Sequence, residues 1–135
     1  MTTFNRPHGL LAAFIGITMM SSASVARADI NDYEFQLVDP SVKAGDDRMI
    51  TVRLVNKATG KPVPDAVIFA TRLDMAPDAM KEMKTEVTPM PGAEPGTYRF
   101  KASLSMEGRW QLSLGAKVQG ETGTVVSQLV LEATP

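Results

Sequence analysis

The stretch GTYRFKASLSMEGRWQLSLGAKV, residues 96–118, decides the fold class of this chain. In it, two runs with an apolar residue at every second position flank a short turn that contains Gly108. The apolar residues are Tyr98, Phe100, Ala102 and Leu104 before the turn and Trp110, Leu112, Leu114, Ala116 and Val118 after it. A period of two is typical of a strand with one buried face, and a short glycine-containing connection is typical of a hairpin. The stretch therefore predicts two antiparallel strands joined by a hairpin.

The strand pattern continues on both sides of this stretch. Apolar or alternating runs occur at 33–38, 49–55, 66–73 and 124–133. The segments between them are rich in glycine, proline, asparagine and aspartate, the residues that form turns. Six to seven short strands with almost no helical periodicity predict an all-β fold, an antiparallel β-sandwich. Because the chain has no cysteine, core packing alone must hold this sandwich together.

The first 28 residues have the order of a secretory signal peptide. A short basic opening precedes an apolar run at 10–20, and residues 26–28 form an A-x-A pattern. The apolar run is too short to span a bilayer as a stable anchor. We therefore expect cleavage after Ala28 and a periplasmic protein with one domain, 29–135, and no stable membrane insertion.

The residue inventory of the predicted mature chain excludes several classes of function. It has no cysteine, and the only histidine, His8, lies in the predicted signal peptide. Catalytic Cys–His and Ser–His pairs and zinc sites of cysteine and histidine are therefore excluded, and we predict that the protein is not an enzyme. Of fourteen basic residues, Arg6 and Arg27 belong to the predicted signal, so the fifteen acidic residues leave a net charge of −3. The remaining basic residues are scattered singly, so no nucleic-acid partner is expected.

Residues 72–90, RLDMAPDAMKEMKTEVTPM, form an unusual segment between two predicted strands. It contains four methionines, namely Met75, Met80, Met83 and Met90. Proline suits the first position of a helix, so Pro77 favours a short helical turn with Met80 and Met83 on one face. The acidic residues Asp74, Asp78, Glu82 and Glu86 have a helix-like spacing and predict a solvated charged face. We therefore expect a methionine-rich loop or helical turn.

Two interpretations of these methionines are open. Flexible thioethers fill irregular space in a core, and Met106 could do so beside Trp110, which follows it in the predicted hairpin. Thioethers are also soft ligands that select Cu(I) over harder ions. The polar, proline-rich surroundings favour ligation, because an exposed methionine has little to pack against. The absence of histidine and cysteine favours packing, or metal binding that is weak.

Several short motifs place the chain beside a known family. They are a Gly-x-Pro-Val turn at 60–63, the methionine-rich connection, a Pro-Gly-x-Tyr strand start at 95–98 and a Met-x-Gly-x-Trp segment at 106–110. Their order resembles the YtkA-like domain, also written FixH-like, over residues 36–131. The resemblance implies an immunoglobulin-like β-sandwich. It also implies association with heavy-metal handling, because such modules often accompany periplasmic adaptors of copper or other heavy-metal efflux pumps.

These observations predict weak or transient binding of Cu(I), for which Ag(I) is a surrogate, and transfer of the ion to an efflux adaptor. The predicted ligands are Met75, Met80 and Met83 first and Met106 second. Met90 is a further candidate, and Trp110 would be a hydrophobic or cation–π wall beside the ion. The alternative is a metal-independent interaction module that docks on a membrane or adaptor complex through its methionines. A third hypothesis is that exposed methionines scavenge oxidants through sulfoxide.

Overall fold

The structure, a computed structural model, describes residues 29–92 and 94–135. The predicted signal peptide and its cleavage site lie outside the described residues. In chain order the elements are a 3₁₀ turn Ile30–Asp32, β1 Tyr33–Leu37, β2 Ser41–Lys43, β3 Gly45–Asn56, β4 Lys61–Pro62, β5 Val67–Met75, a 3₁₀ turn Ala76–Asp78, β6 Met80–Thr85, β7 Val87–Met90, β8 Thr97–Leu104, β9 Gly108–Lys117 and β10 Val125–Thr134. The fold is therefore all-β.

The strands form two five-stranded sheets that pack face to face. Sheet A has the order β1-β3-β8-β7, with β4 paired to β3, and sheet B has the order β2-β10-β9-β5-β6. Every pair is antiparallel except β10 with β2, which is parallel. The predicted antiparallel, immunoglobulin-like β-sandwich is confirmed. The strands outnumber the six to seven expected, because short strands β2, β4, β6 and β7 form in segments that were predicted to be turns or connections.

The core lies between the two sheets and is built from the alternating positions of the long strands. Buried side chains come from both sheets, and the largest are Trp110, Phe35, Phe100, Ile50, Leu54 and Leu73. Phe35 on β1 and Tyr98 on β8 meet edge to face, with ring centroids 6.3 Å apart. The period-two pattern therefore identified the buried faces of β3, β8 and β9 correctly.

The predicted hairpin at 96–118 is wrong, although both of its strands exist. Strand β8 pairs with β3 and β7 in sheet A, whereas β9 pairs with β10 and β5 in sheet B. The short connection after Leu104 therefore crosses from one sheet to the other. Two strands with apolar inner faces can bury them by facing each other across the core as well as by lying side by side. The alternation of residues is the same in both arrangements.

Residues 72–85 of the methionine-rich segment form a strand hairpin and not a loop, and residues 87–90 form β7 in the other sheet. Strand β5 runs to Met75, the 3₁₀ turn follows, and β6 returns alongside β5. The predicted turn exists, with Pro77 at its start, and Ala79 closes it in the left-handed conformation at φ 60°. Met80 and Met83 are not on one helical face. They lie in β6, where Met80 packs against the core and Met83 is exposed.

Candidate metal-binding site

The end of β5 is fixed by a buried carboxylate. Asp74 is 2% exposed, and its Oδ2 accepts a hydrogen bond from Arg72 Nε at 2.6 Å. Its Oδ1 accepts one from the backbone N–H of Ala76 at 2.9 Å. Burial raises the pKa of Asp74, but the bonds from Arg72 and Ala76 outweigh it and hold the pKa below its usual value. The prediction that Asp74 lies on a solvated charged face is therefore wrong. Its hydrogen bonds instead stabilise the reversal of the chain after β5.

A second carboxylate joins the 3₁₀ turn to the start of β9. Asp78 Oδ2 accepts a hydrogen bond from the backbone N–H of Arg109 at 2.7 Å, and Oδ1 accepts one from Arg109 Nε at 2.8 Å. Arg109 Nη2 also donates to the carbonyl of Pro77 at 2.8 Å. Both hydrogen bonds from Arg109 lower the pKa of Asp78, and the bond from the backbone N–H has the larger effect. The hairpin is therefore anchored to β9, and Asp78 too is structural and not merely solvated.

Gly108 allows this close approach. Its φ is +135°, and a Cβ built on it would lie 2.7 Å from both Met75 Cε and Asp78 Oδ2. The methyl group of Met75 therefore lies directly against the backbone at the start of β9. Only glycine has both the backbone freedom and the space for this contact.

Three methionines are brought to this end of the sandwich. Met75 and Met80 are partners in the register of β5 and β6. Met75 is fully buried and Met80 is half-buried against the core. Met106 is 39% exposed and lies two residues before Gly108, which Met75 contacts. We call Met75, Met80 and Met106 the methionine end.

The remaining predicted site residues are placed differently. Met83 is 36% exposed on β6, outside the pair that Met75 and Met80 form. Met90 is on β7 in sheet A, where it pairs with Arg99 near the start of β8, whereas Met106 follows the end of β8. Sequence proximity had grouped Met90 with the others, but β7 belongs to the opposite sheet.

Trp110, predicted to be a wall beside the ion, is a buried core residue. It is 1% exposed, and its Nε1 donates a hydrogen bond to the carbonyl of Met106 at 3.0 Å. This bond fixes the turn that carries Met106. Trp110 therefore acts on the methionine end through the backbone, a role that the sequence did not indicate.

The donor chemistry of the methionine end suits a soft ion. Across 29–92 and 94–135 no three histidine, cysteine, aspartate or glutamate side chains cluster as metal ligands would. Asp78 lies near the methionine end, but Arg109 already occupies both of its oxygens. Thioethers are the donors that remain, and they favour Cu(I) over harder ions.

A surface that sequence reasoning missed lies on the outer face of sheet B. A bulge between Ile68 and Ala70 places Phe69 over Gly115, where the nearest ring atom would be 3.3 Å from an added Cβ. The large apolar side chains exposed there are Val67 at 64%, Phe69 at 57%, Val126 at 74% and Val130 at 48%. We call these four residues the apolar patch. The continuous apolar run at 66–70 was the available signal, because a strand with one solvated face normally alternates.

Two β-sheets around one apolar core, without any cysteine and with a methionine-rich end, define a small disulfide-free β-sandwich domain. A sequence comparison identifies the family. The chain belongs to the YtkA-like family, whose sequence model matches residues 27–115. The matched span ends within β9, earlier than residue 131, where the resemblance had ended, so β10 lies outside it.

The chain is also similar to two solved structures. One is the crystal structure of the Lin-41 filamin domain, with 21% identity and a TM-score of 0.42, covering 72% of this chain and 90% of that chain. The other is the ZirS C-terminal domain, with 13% identity and a TM-score of 0.44, covering 100% of this chain and 86% of that chain. No curated protein matches the chain. The described residues contain no helix that is long and apolar enough to cross a membrane.

Proposed function

We propose that this protein is a non-catalytic periplasmic domain that binds Cu(I) weakly and transiently and passes it to an adaptor of a heavy-metal efflux system. The observation that carries the proposal is the register pairing of Met75 with Met80 beside the turn that presents Met106. Export rests on the signal-peptide pattern of the first 28 residues. The efflux partner rests on the resemblance to modules that accompany such pumps.

The burial of the three methionines suits a shallow, exchangeable site. Met106 and the half-buried Met80 are accessible to an incoming ion, whereas Met75 is fully buried. Two or three neutral thioethers do not neutralise the charge of the ion, and the proposed ligand set has no imidazole or thiolate to strengthen the site. Binding is therefore weak, which suits a protein that delivers its ion and does not store it. Met83 is a peripheral ligand in this proposal, because it lies outside the register pair.

A non-catalytic role agrees with the polar groups of the methionine end. The two carboxylates there, Asp74 and Asp78, are both held by arginine and have lowered pKa values. A general acid needs a raised pKa, and a general base needs a free carboxylate within reach of substrate. Neither carboxylate meets these requirements.

The test is an anaerobic competition titration of Cu(I) between residues 29–135 and a coloured Cu(I) chelator. The test variant carries Met75→Leu, Met80→Leu and Met106→Leu, which remove sulfur and nearly conserve volume. The control carries Met49→Leu and Met90→Leu, two half-buried methionines of sheet A. We expect the wild type and the control to bind about one Cu(I) and the test variant to lose binding while its circular dichroism is unchanged. Equal retention by all three proteins would contradict the proposal.

The second candidate is a metal-independent docking module, and the apolar patch favours it. Apolar side chains that are grouped on one face of a soluble domain commonly mark an interaction site. Capture of a purified efflux adaptor by the immobilised domain, with and without a copper chelator, separates the two functions. Capture that is the same with and without the chelator, but is lost in a Phe69→Ser variant, supports docking. Capture that the chelator abolishes supports the metal proposal.

A further inference from the structure

The outer face of sheet A carries a compact group of positive charges. Arg53 on β3 and Arg99 and Lys101 on β8 alternate with buried core residues, so all three side chains point away from the core. Strands β3 and β8 are the two central strands of this sheet. We call Arg53, Arg99 and Lys101 the cationic face.

The strand register brings these three charges close together. Arg99 and Lys101 are two residues apart on one strand, a separation of about 6.8 Å between their Cα atoms. Arg53 pairs with Thr97, and Arg99 pairs with Thr51, so Arg53 and Arg99 are diagonal neighbours at about 7–8 Å. Like charges at this spacing repel each other, and a domain with an excess of acidic residues gains nothing in stability from grouping them.

These cations have no ion-pair partner among residues 29–92 and 94–135. The ion pairs there are Arg72 with Asp74 and Arg109 with Asp78, both in the β5–β9 region of sheet B. Glu94 lies with Arg53 in a shallow groove of about 560 Å³ at one end of the face. The direct cross-strand partners of the cations are neutral, because Arg99 pairs with Thr51 and Met90, Lys101 pairs with Met49 and Thr88, and Arg53 pairs with Thr97 and Gln36. Glu34, the diagonal neighbour of Arg53 on β1, accepts a hydrogen bond from Gln36 at 3.1 Å.

We propose that the cationic face is the docking surface for an acidic, extended segment of a partner protein. Carboxylates at every second position of an extended segment recur at about 6.8 Å, the spacing of Arg99 and Lys101. The half-buried side chains of Met49 and Met90 flank the charges and supply adaptable apolar contact. Arginine adds two-pronged hydrogen bonding to a carboxylate. The inference goes beyond the proposed function and does not depend on copper.

The two outer faces together favour a protein over a membrane as the occupant. A domain that rests on an anionic bilayer presents cations and apolar side chains on the same face. Here the apolar patch is on sheet B, and the cationic face is on sheet A, on the opposite side of the core. A bilayer that met sheet A would contact the charges beside only the half-buried side chains of Met49 and Met90, and none of the exposed large apolar side chains of sheet B.

The probe is a fluorescent eight-residue peptide with glutamate alternating with threonine, titrated with residues 29–135 at low salt and in the presence of a copper chelator. The test variant carries Arg53→Gln, Arg99→Gln and Lys101→Gln. The control carries Lys43→Gln, Lys84→Gln and Lys117→Gln, exposed lysines on β2, β6 and β9 of sheet B, so both variants lose the same charge. Thermal unfolding checks that both variants stay folded.

We expect the wild type and the control to bind the peptide with similar affinity. The test variant should bind it at least about tenfold more weakly. A peptide of the same composition with its glutamates in one block should bind more weakly than the alternating peptide. Amide NMR shifts on peptide addition should map to β3 and β8. Equal losses in both variants, no difference between the peptides, or binding to phosphatidylglycerol vesicles in place of the peptide would each overturn the proposal. None of these results depends on whether the methionine end binds Cu(I).

Discussion

Asp78 and Arg109 are joined by two hydrogen bonds, one to the backbone N–H of Arg109 at 2.7 Å and one to its Nε at 2.8 Å. The pair lies 31 residues apart in the chain and connects the β5–β6 hairpin with β9. It therefore holds the segment that contains Met75 and Met80 against the turn that contains Met106. The geometry of the proposed copper site depends on this pair, although neither residue is a ligand.

We expect Asp78→Asn to lower the melting temperature at pH 7, with a smaller effect in acid. The pKa of Asp78 is below its ordinary value in the folded protein. Its contribution to stability is therefore complete above the unfolded pKa of about 3.9 and is lost as the pH falls through the lower, folded pKa. Thermal unfolding at pH 7, 5 and 3 measures the gap to wild type, with the exposed change Asp39→Asn as control. A gap that is the same at all three pH values would show that the charge of Asp78 is irrelevant.

We expect Gly108→Ala to destabilise the fold more than Gly120→Ala. Both glycines have positive φ, +135° and +83°, but only a Cβ at 108 meets other atoms, at 2.7 Å from Met75 Cε and Asp78 Oδ2. Gly120→Ala should cost about 1 kcal/mol of unfolding free energy from backbone strain alone. Gly108→Ala adds the steric clash and should cost about 2–4 kcal/mol. Urea unfolding of both variants checks this, and equal costs would contradict the close packing.

We expect Tyr98→Phe to cost about 1–3 kcal/mol of unfolding free energy. The Tyr98 hydroxyl donates to the carbonyl of Val63 at 2.8 Å and accepts from the N–H of Ala66 at 3.0 Å, so it closes the loop between β4 and β5. The control Tyr33→Phe removes one longer bond, 3.2 Å to Glu121, and should cost less. Chemical denaturation of both variants provides the comparison.

The same tyrosine gives an alkaline prediction. Burial raises the pKa of Tyr98 in the folded protein above the ordinary value of 10.0. Tyr98 therefore stays protonated to a higher pH in the folded protein than in the unfolded chain. The free energy of unfolding consequently falls as the pH rises above about 10. The fall should be smaller in Tyr98→Phe, as measured by unfolding between pH 8 and 11. An identical fall in both proteins would assign the alkaline transition to other groups.

We expect Phe69→Ala to leave stability nearly unchanged, within about 1 kcal/mol, while Phe35→Ala costs about 3–5 kcal/mol. The reason is burial, since Phe69 is 57% exposed and Phe35 is 2% exposed. Calorimetric melting of both variants tests this. If Phe69→Ala were as costly as Phe35→Ala, the apolar patch would be part of the core and not a free surface.

Alternation predicted much of the fold, because it depends only on which face of a strand meets water. Ile50, Val52 and Leu54 on β3, and Leu112 and Leu114 on β9, are buried as their spacing indicates. The helix-like spacing of the acidic residues gave a wrong prediction for Asp74, which is buried, because the sequence does not show that Arg72 and the Ala76 N–H would supply its hydrogen bonds. Alternation gives no guide at the bulge beside Phe69, where one extra residue breaks the period of two.

For the candidate site, composition predicted the donor type but not the grouping. The chain offers thioethers and neither cysteine nor, beyond residue 28, histidine, and this fact is independent of any fold. The selection of Met75, Met80 and Met106, and the separation of Met90, depend on which sheet each strand joins. Sequence separation is a poor guide there, because Met106 is 26 residues from Met80, whereas Met90 is only ten away.

The amino-acid order alone was enough to predict the all-β class, the buried faces of β3, β8 and β9, and the family resemblance. Three-dimensional packing was needed to show that β8 and β9 belong to opposite sheets, that β5 and β6 form a strand hairpin, and that Asp78 holds this hairpin to Arg109. The physical reason is that hydrophobic periodicity is a local property of a strand and its solvent. Strand pairing and side-chain contacts are instead set by competition among all the strands for the same core.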